Sequence, residues 1–255
     1  MKSLLKIHCV VSDTLIKEGA LSDIIARYGQ VPPEDADVVV VWGGDGAMLQ
    51  ALHRFRHLGK PFYGVHCGTV GFLMNENKGS LYDKLAQAES TPLPLIAVEA
   101  WTLSGEKVVA QAINEVSVLR ASRFAAKIRL SVNGLVRFSE LICDGILLAT
   151  SSGSTAYNLS VGGPILPLGS PLFALTPISL FRPRRWRGAI LPETATVTWD
   201  VLDPESRPLH LVADDLEVNH VTRVLLKKDI SQPISLLFDP DHNLEARILN
   251  EQFAI

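Results

Sequence analysis

Cysteine is scarce in this chain. Cys9, Cys67 and Cys143 are the three among 255 residues, and their spacing matches neither a disulfide framework nor a metal knuckle. That usage suits a reducing compartment, so the expectation is a cytoplasmic protein. Positive charge is not in surplus either. The formal net charge is −3, whereas a dedicated nucleic-acid binder usually carries a basic excess. No apolar run reaches membrane-spanning length, and the first apolar stretch, Leu4 to Val11, reads as a strand rather than a signal segment. No Gly-x4-Gly-Lys-Ser/Thr occurs, which excludes a P-loop, and no Gly-x-Gly-x-x-Gly follows a strand, which argues against a Rossmann dehydrogenase. The expected partners therefore include no nucleic acid and no membrane.

Apolar residues are plentiful. They make up 47% of the chain against 20% charged, enough for one large domain or two modest ones. The most organised stretch is 36–49. Val38 to Val41 and Trp42 form an apolar, β-branched run that stops at Gly43, as a buried parallel strand would. Gly43, Gly44 and Gly46 relax backbone restrictions and let a ligand approach the main chain. Met48, Leu49, Leu52 and Phe55 then follow helical spacing. A strand, a glycine turn and a helix start gather amide groups that favour a phosphate. Asp45 would repel that phosphate, so it is either part of an Asp-Gly turn or a group with chemistry of its own.

Residues 1–92 alternate strand and helix: helical spacing from Leu15 to Tyr28, a strand from Phe62 to His66 ending in a second glycine turn, and a short helix from Leu81 to Ala88. This pattern predicts a parallel α/β domain with both glycine turns at one sheet edge. At Thr91-Pro92-Leu93-Pro94 the texture changes, and 93–238 breaks into short strand-like runs, with Asn133-Gly134 as a type I′ hairpin turn. An all-β sandwich is expected there, with Val221 to Leu226 and Ile234 to Phe238 as separate strands. Residues 239–255 regain helical spacing, and that tail is expected to return to the first domain.

Two polar stretches interrupt the β-rich part. Asp144 to Pro164 is dense in hydroxyls and glycines, with Tyr157 offering a face on which a base could stack; a long loop whose hydroxyls cap a short helix near Ala156 is the plainer reading. Asn114-Glu115 lies between two strand-like runs and, alone, would be a strand's solvent face.

Taken together, Gly43-Gly44-Asp45-Gly46, Gly68-x-x-Gly71-Phe72-Leu73, Asn114-Glu115 and Gly153-Ser154-Thr155-Ala156-Tyr157 running on to Gly162-Gly163-Pro164 resemble the NAD kinase family over most of the chain. Leu237-Phe238-Asp239-Pro240 and Arg247-Ile248-Leu249 look like its bacterial members. The resemblance implies transfer of the terminal phosphoryl group of ATP, or of polyphosphate, to the 2′-hydroxyl of NAD's adenosine ribose. It also implies a β-sandwich, dependence on a divalent metal such as Mg²⁺, and a homodimer or homotetramer with shared active sites. By motif, Asp45 becomes the general base; no metal ligand is fixed. Gly44, Gly46, Asn114, Glu115, Asp144, Ser152, Thr155, Ala156, Tyr157 and Ser160 become substrate-binding, with Asp144 reaching the nicotinamide half from a neighbouring subunit. A carboxylate suits the chemistry, since a ribose hydroxyl is a poor nucleophile that must lose its proton as it attacks. Phosphoryl transfer otherwise asks for positioning and charge neutralisation.

Some positions depart from the family pattern. Ala47 replaces a common hydroxyl residue, His66 the usual asparagine, Ala149 a serine and Ser151 a proline. His66 is the larger concern, because an imidazole is bulkier than an amide. Two other readings stay open on sequence: a lipid or other alcohol kinase sharing the Gly-Gly-Asp-Gly domain, and a non-catalytic nucleotide-binding relative. His53 and His57, four apart, read as a solvated helix face rather than a metal site; the basic run Arg182 to Arg187 either reaches a phosphate or is a solvated loop; Asp214-Asp215 reads as a turn.

Overall fold

The computed structural model describes residues 5–68 and 71–240. These fall into two compact units: the described residues up to Leu93 together with those from Gln232 onward, and Pro94–Ser231.

In the first unit, strands β1 (Ile7–Val11), β2 (Val38–Gly43) and β3 (Phe62–His66) lie parallel, and Leu236-Leu237 joins β3 in parallel. All six residues of β2 are buried, as expected of a strand covered on both faces. Helices α1 (Asp13–Lys17), α2 (Ala20–Tyr28), α3 (Asp45–Phe55) and α4 (Leu81–Gln87) accompany the sheet. The helix expected from Leu15 to Tyr28 is therefore two helices. Gly19, at φ 84°, breaks it. α3 stops at Phe55 and passes into a 3-10 turn, Arg56–Leu58, so His53 and His57 do not share an α-helix. One core gathers Ile7, Cys9, Val38, Val40, Trp42 and Tyr63.

In the second unit, two antiparallel sheets face each other. The structure bears out the sandwich. β4 (Glu89–Thr102) enters it and pairs with β5 (Lys107–Ala112). Then come β6 (Glu115–Arg120), β7 (Ala126–Val132), β8 (Leu135–Cys143), β9 (Gly145–Ala149), a short helix α5 (Tyr157–Ser160), β10 (Leu172–Ile178), β11 (Ala189–Pro192), β12 (Val197–Val201), β13 (Leu209–Ala213), β14 (Leu216–Val218) and β15 (Val221–Phe238). One sheet runs β15-β12-β7-β8; the other runs β11-β10-β9-β6-β13-β14. Between them lies a core that includes Ile128, Ile146, Phe173, Trp199 and Leu226. Asn133 and Gly134 both carry positive φ, as the type I′ turn between β7 and β8 requires.

The Thr91–Pro94 stretch, where the sequence changes texture, lies within β4, which pairs with β5 from Ile96 onward and also with β15. One expectation needs correction here. The runs Val221–Leu226 and Ile234–Phe238 are one strand, β15. The helical tail expected over 239–255 lies outside the described residues, apart from Asp239 and Pro240.

Candidate active site

The first unit contributes the glycine turns. β2 and β3 end side by side, with Gly43 opposite His66 and the Cys67 amide donating to the Gly43 carbonyl at 3.0 Å. Asp45 opens α3. Its Oδ2 accepts from the Phe72 amide at 2.8 Å and its Oδ1 from the Leu73 amide at 3.0 Å. The carboxylate therefore holds the second glycine turn against the first. A Cβ on Gly71 would lie 2.2 Å from Asp45 Oδ1, so only glycine lets that turn come so close. A carboxylate has about four acceptor positions, so two amide contacts leave capacity for a hydroxyl.

The three glycines of the first turn differ in their reasons. Gly43, at φ 158°, is packed: a Cβ there would meet Ala47 Cβ at 2.9 Å and Ser12 Cβ at 3.0 Å. Gly44, at φ −123°, and Gly46, inside α3, adopt ordinary backbone angles, and a Cβ on either would meet nothing within 4 Å. Glycine at those two places answers no conformational need. It leaves the main chain bare beside Asp45. His66 is half-buried, and its Nε2 is buried without a protein partner.

Asn75, which the sequence reading passed over, fastens this edge. Fully buried, it donates through Nδ2 to the carbonyls of Gly64 at 3.2 Å and Leu237 at 2.9 Å, and its Oδ1 accepts from the Asp239 amide at 2.9 Å. Its backbone pairs with Gly64 and His66. A polar residue directly after an apolar Phe72-Leu73-Met74 run was the signal available.

In the second unit, Asn114 and Glu115 join β5 to β6, beside the segment that follows β9. The Thr150 and Ser152 hydroxyls donate to the Ile113 carbonyl at 2.6 and 3.0 Å, and the Thr150 amide donates to the Asn114 carbonyl at 2.9 Å. A Cβ on Gly153 would come within 2.1 Å of the Asn114 carbonyl oxygen, so glycine is required for this contact. Two buried oxygens here lack protein partners: Asn114 Oδ1 and Glu115 Oε2. Burial, and secondarily the charge of Asp214, pushes the Glu115 carboxyl up to about 7.

The hydroxyl-rich stretch is mostly internal scaffolding. Ser152 Oγ lies 2.8 Å from Thr150 Oγ1, and Ser154 bonds to Ser151 and Leu166. Neither hydroxyl caps α5, whose N-cap Ala156 makes no side-chain bond. Asn158, also passed over, is fully buried. It donates to the Ser154 and Pro164 carbonyls and accepts from Thr176. Thr155, Ala156 and Tyr157 are half-buried and Ser160 is exposed. Tyr157 also packs on the Leu147–Ala149–Leu166 cluster, so it is not a bare loop residue.

Asp144 does not join Asn114, Glu115 and Thr150 within the chain. It precedes β9, while Thr150 follows it, and the register of β6 with β9 places Leu119 opposite Gly145 and Glu115 opposite Ala149. At about 3.3 Å per residue the intervening strand separates the two ends by roughly 20 Å. Asp144 pairs instead with Arg120, Nε to Oδ1 at 2.5 Å, near Arg182, whose carbonyl accepts from the Ile142 amide.

A parallel α/β unit bearing a carboxylate between two glycine turns is followed by a β-sandwich with unpartnered Asn and Glu oxygens, a two-unit arrangement with polar atoms open to a ligand in each. Residues 6–88 match the model of the ATP-NAD kinase N-terminal domain, and residues 113–223 match that of the C-terminal domain. The chain is 49% identical to the NAD kinase of Brucella suis over 98% of its own length and 97% of the relative's. It is 51% identical to that of Mesorhizobium japonicum over 96% and 95%. It belongs to the NAD kinase family, and it is a kinase acting on NAD. The fold is shared with yeast NADH kinase complexed with NADH (TM-score 0.78, 18% identity, 99% of this chain and 89% of that one). It is shared as well with an Archaeoglobus fulgidus NAD kinase in complex with ATP (TM-score 0.74, 23% identity, 96% and 99%).

Proposed function

We propose that this kinase transfers the terminal phosphoryl group of ATP, or of polyphosphate, to the 2′-hydroxyl of NAD's adenosine ribose, with Asp45 as the general base. The observation that carries the assignment is the Asp45 carboxylate: pinned by the Phe72 and Leu73 amides, it stands beside main chain left bare at Gly44 and Gly46. A base so held loses no time to rotamer search when a hydroxyl arrives. Amides at the start of α3 favour the phosphate that must approach there. Asn114 and Glu115 hold the adenosine through their unpartnered oxygens, Thr155, Ala156, Tyr157 and Ser160 form its adenine side, and Ser152 acts indirectly by holding the Ile113 carbonyl.

Among the described residues no three His, Cys, Asp or Glu side chains gather as a metal site. Mg²⁺ is commonly held by one or two carboxylates together with substrate phosphates. The residues present fit a cation delivered with the triphosphate, for which Asp45 is the available carboxylate. Such a cation supplies neutralisation of charge on the transferring group. The position of Asp144 at the far end of β9 supports a homo-oligomer in which it serves a neighbouring subunit's site, with the Arg182–Arg187 run alongside it. The test is to incubate purified protein with NAD, Mg²⁺ and either donor and to assay NADP. NADP should form with ATP; no NADP with either donor would overturn the reading.

A further inference from the structure

The carboxylate of Asp214 lies in the turn between β13 and β14, at φ 51°, where the sequence offered only an Asp-Asp turn. Its oxygens accept from three consecutive amides a hundred residues away. Oδ2 takes the Ile113 amide at 2.6 Å, and Oδ1 takes those of Asn114 at 3.0 Å and Glu115 at 3.2 Å. The Asp214 amide in return donates to the Glu115 carbonyl at 3.2 Å. With the Ile113 and Asn114 carbonyls held by Thr150 and Ser152, every backbone polar group of this three-residue segment is satisfied by protein. Its side chains are not: Asn114 Oδ1 and Glu115 Oε2 are buried and unpartnered. Native structures rarely leave buried polar atoms so without a water, an ion or a ligand to complete them.

We propose that Asp214 is a positioning residue for dinucleotide recognition: it fixes the main chain of Ile113–Glu115 so that Asn114 and Glu115 aim their polar atoms at the adenosine, and it keeps Glu115 a neutral acid that donates a hydrogen bond to an acceptor atom there. This rests on the reading above that the Asn114-Glu115 pair binds NAD. The second half follows from the charges present. The strands beside Glu115 offer it Ala149 opposite and Ala213 next to Val116, the segment after β9 offers hydroxyls, and Asp214 is the charged group that acts on it. Burial and that negative neighbour both disfavour ionisation. A protonated carboxyl can donate, whereas an ionised one can only accept.

The experiment is NADP formation by the full chain, with KM for NAD and kcat measured from pH 6 to pH 8.5. In wild type, KM for NAD should rise as pH passes about 7 and Glu115 loses its proton. Asp214→Asn removes the charge and one acceptor, so KM at pH 7 should increase about tenfold, with kcat at saturating NAD within about threefold. The pH midpoint of the KM rise should move down. A merely structural role would lower thermal stability and leave that midpoint in place. Glu115→Gln should abolish the rise. If Asp214→Asn does not fold, Asp214→Glu keeps the charge but displaces it by a methylene, and KM should rise with the midpoint retained. An unchanged KM in whichever variant folds overturns the proposal. So does a wild-type KM that is flat across this range, which needs no Asp214 variant. Either result in an active kinase leaves the proposed function standing; only a wild type that makes no NADP removes both.

Discussion

Asp45 in the first unit and Asp214 in the second perform the same local act, each gathering consecutive backbone amides onto one carboxylate. Their surroundings differ. Beside Asp45 the main chain is bare at Gly44 and Gly46, which leaves room there for a ligand. Asp214 is bonded to the segment it holds, and the atoms left for a ligand belong to its neighbours, Asn114 and Glu115. On the proposed function, one carboxylate reacts and the other makes its neighbours able to bind. The contrast shows that an amide-gathering aspartate is not informative alone; what borders it decides its part.

The sharpest way to break this comparison is Asp45→Asn. The amide retains one acceptor for the Phe72 and Leu73 amides, so the fold should survive at a cost of about 1 kcal/mol. Turnover should fall by about 10²–10⁴, with KM for NAD changing little. Steady-state NADP formation and thermal unfolding of the same sample check both. Gly71→Ala comes next. It puts a Cβ where the Asp45 carboxylate now sits, 2.2 Å from Oδ1, and a displaced base can cost roughly 10² in rate. A kcat within twofold of wild type would show that the carboxylate's position is not critical.

In the second unit, Tyr157→Ala should weaken NAD binding by about 1–3 kcal/mol, the range for loss of an aromatic stacking face. Because Tyr157 also packs on Leu147 and Leu166, the melting temperature should drop as well. Calorimetry that found full NAD affinity would reduce this stretch to scaffolding.

A quieter effect is in stability. Burial and Asp214 hold the Glu115 carboxyl at about 7 rather than its ordinary 4.5. As pH rises, the unfolded chain therefore gives up this proton before the folded one. Stability should fall between about pH 4.5 and pH 7 and level off above. Glu115→Gln removes that loss. Its melting point should match wild type at low pH and exceed it at pH 8, by an amount worth on the order of 3 kcal/mol. A constant gap across pH would contradict the shift. The smallest effect is expected at His66, where His66→Asn should leave an active enzyme in the same NADP assay.

What could be read from the sequence was local. Four valines and a tryptophan before three glycines announce strand, turn and helix within a dozen residues, and the structure has them as β2, Gly43-Gly44 and α3. Asn114-Glu115 stood out because two polar residues interrupt apolar alternation. Asp214 did not, since its part depends on amides a hundred residues earlier that no local pattern marks. Asn75 was hidden for the same reason: its side chain joins β3 to Leu237 and Asp239. Strand limits failed where proline and glycine mislead. Pro92 and Pro94 mark a change of texture in the sequence, yet β4 runs through them, and Val221–Leu226 and Ile234–Phe238 read as separate strands where β15 is one. In the opposite direction, apolar spacing ran on through Gly19 while the chain did not.

The most direct test sets the two aspartates side by side: NADP formed by Asp45→Asn and by Asp214→Asn, each measured as NAD is raised to saturation at pH 7. Asp45→Asn should stay slow however much NAD is supplied, and Asp214→Asn should climb back to within about threefold of wild type. If excess NAD rescues Asp45→Asn, or if Asp214→Asn remains slow at saturation, the division between a reacting and a positioning carboxylate is wrong.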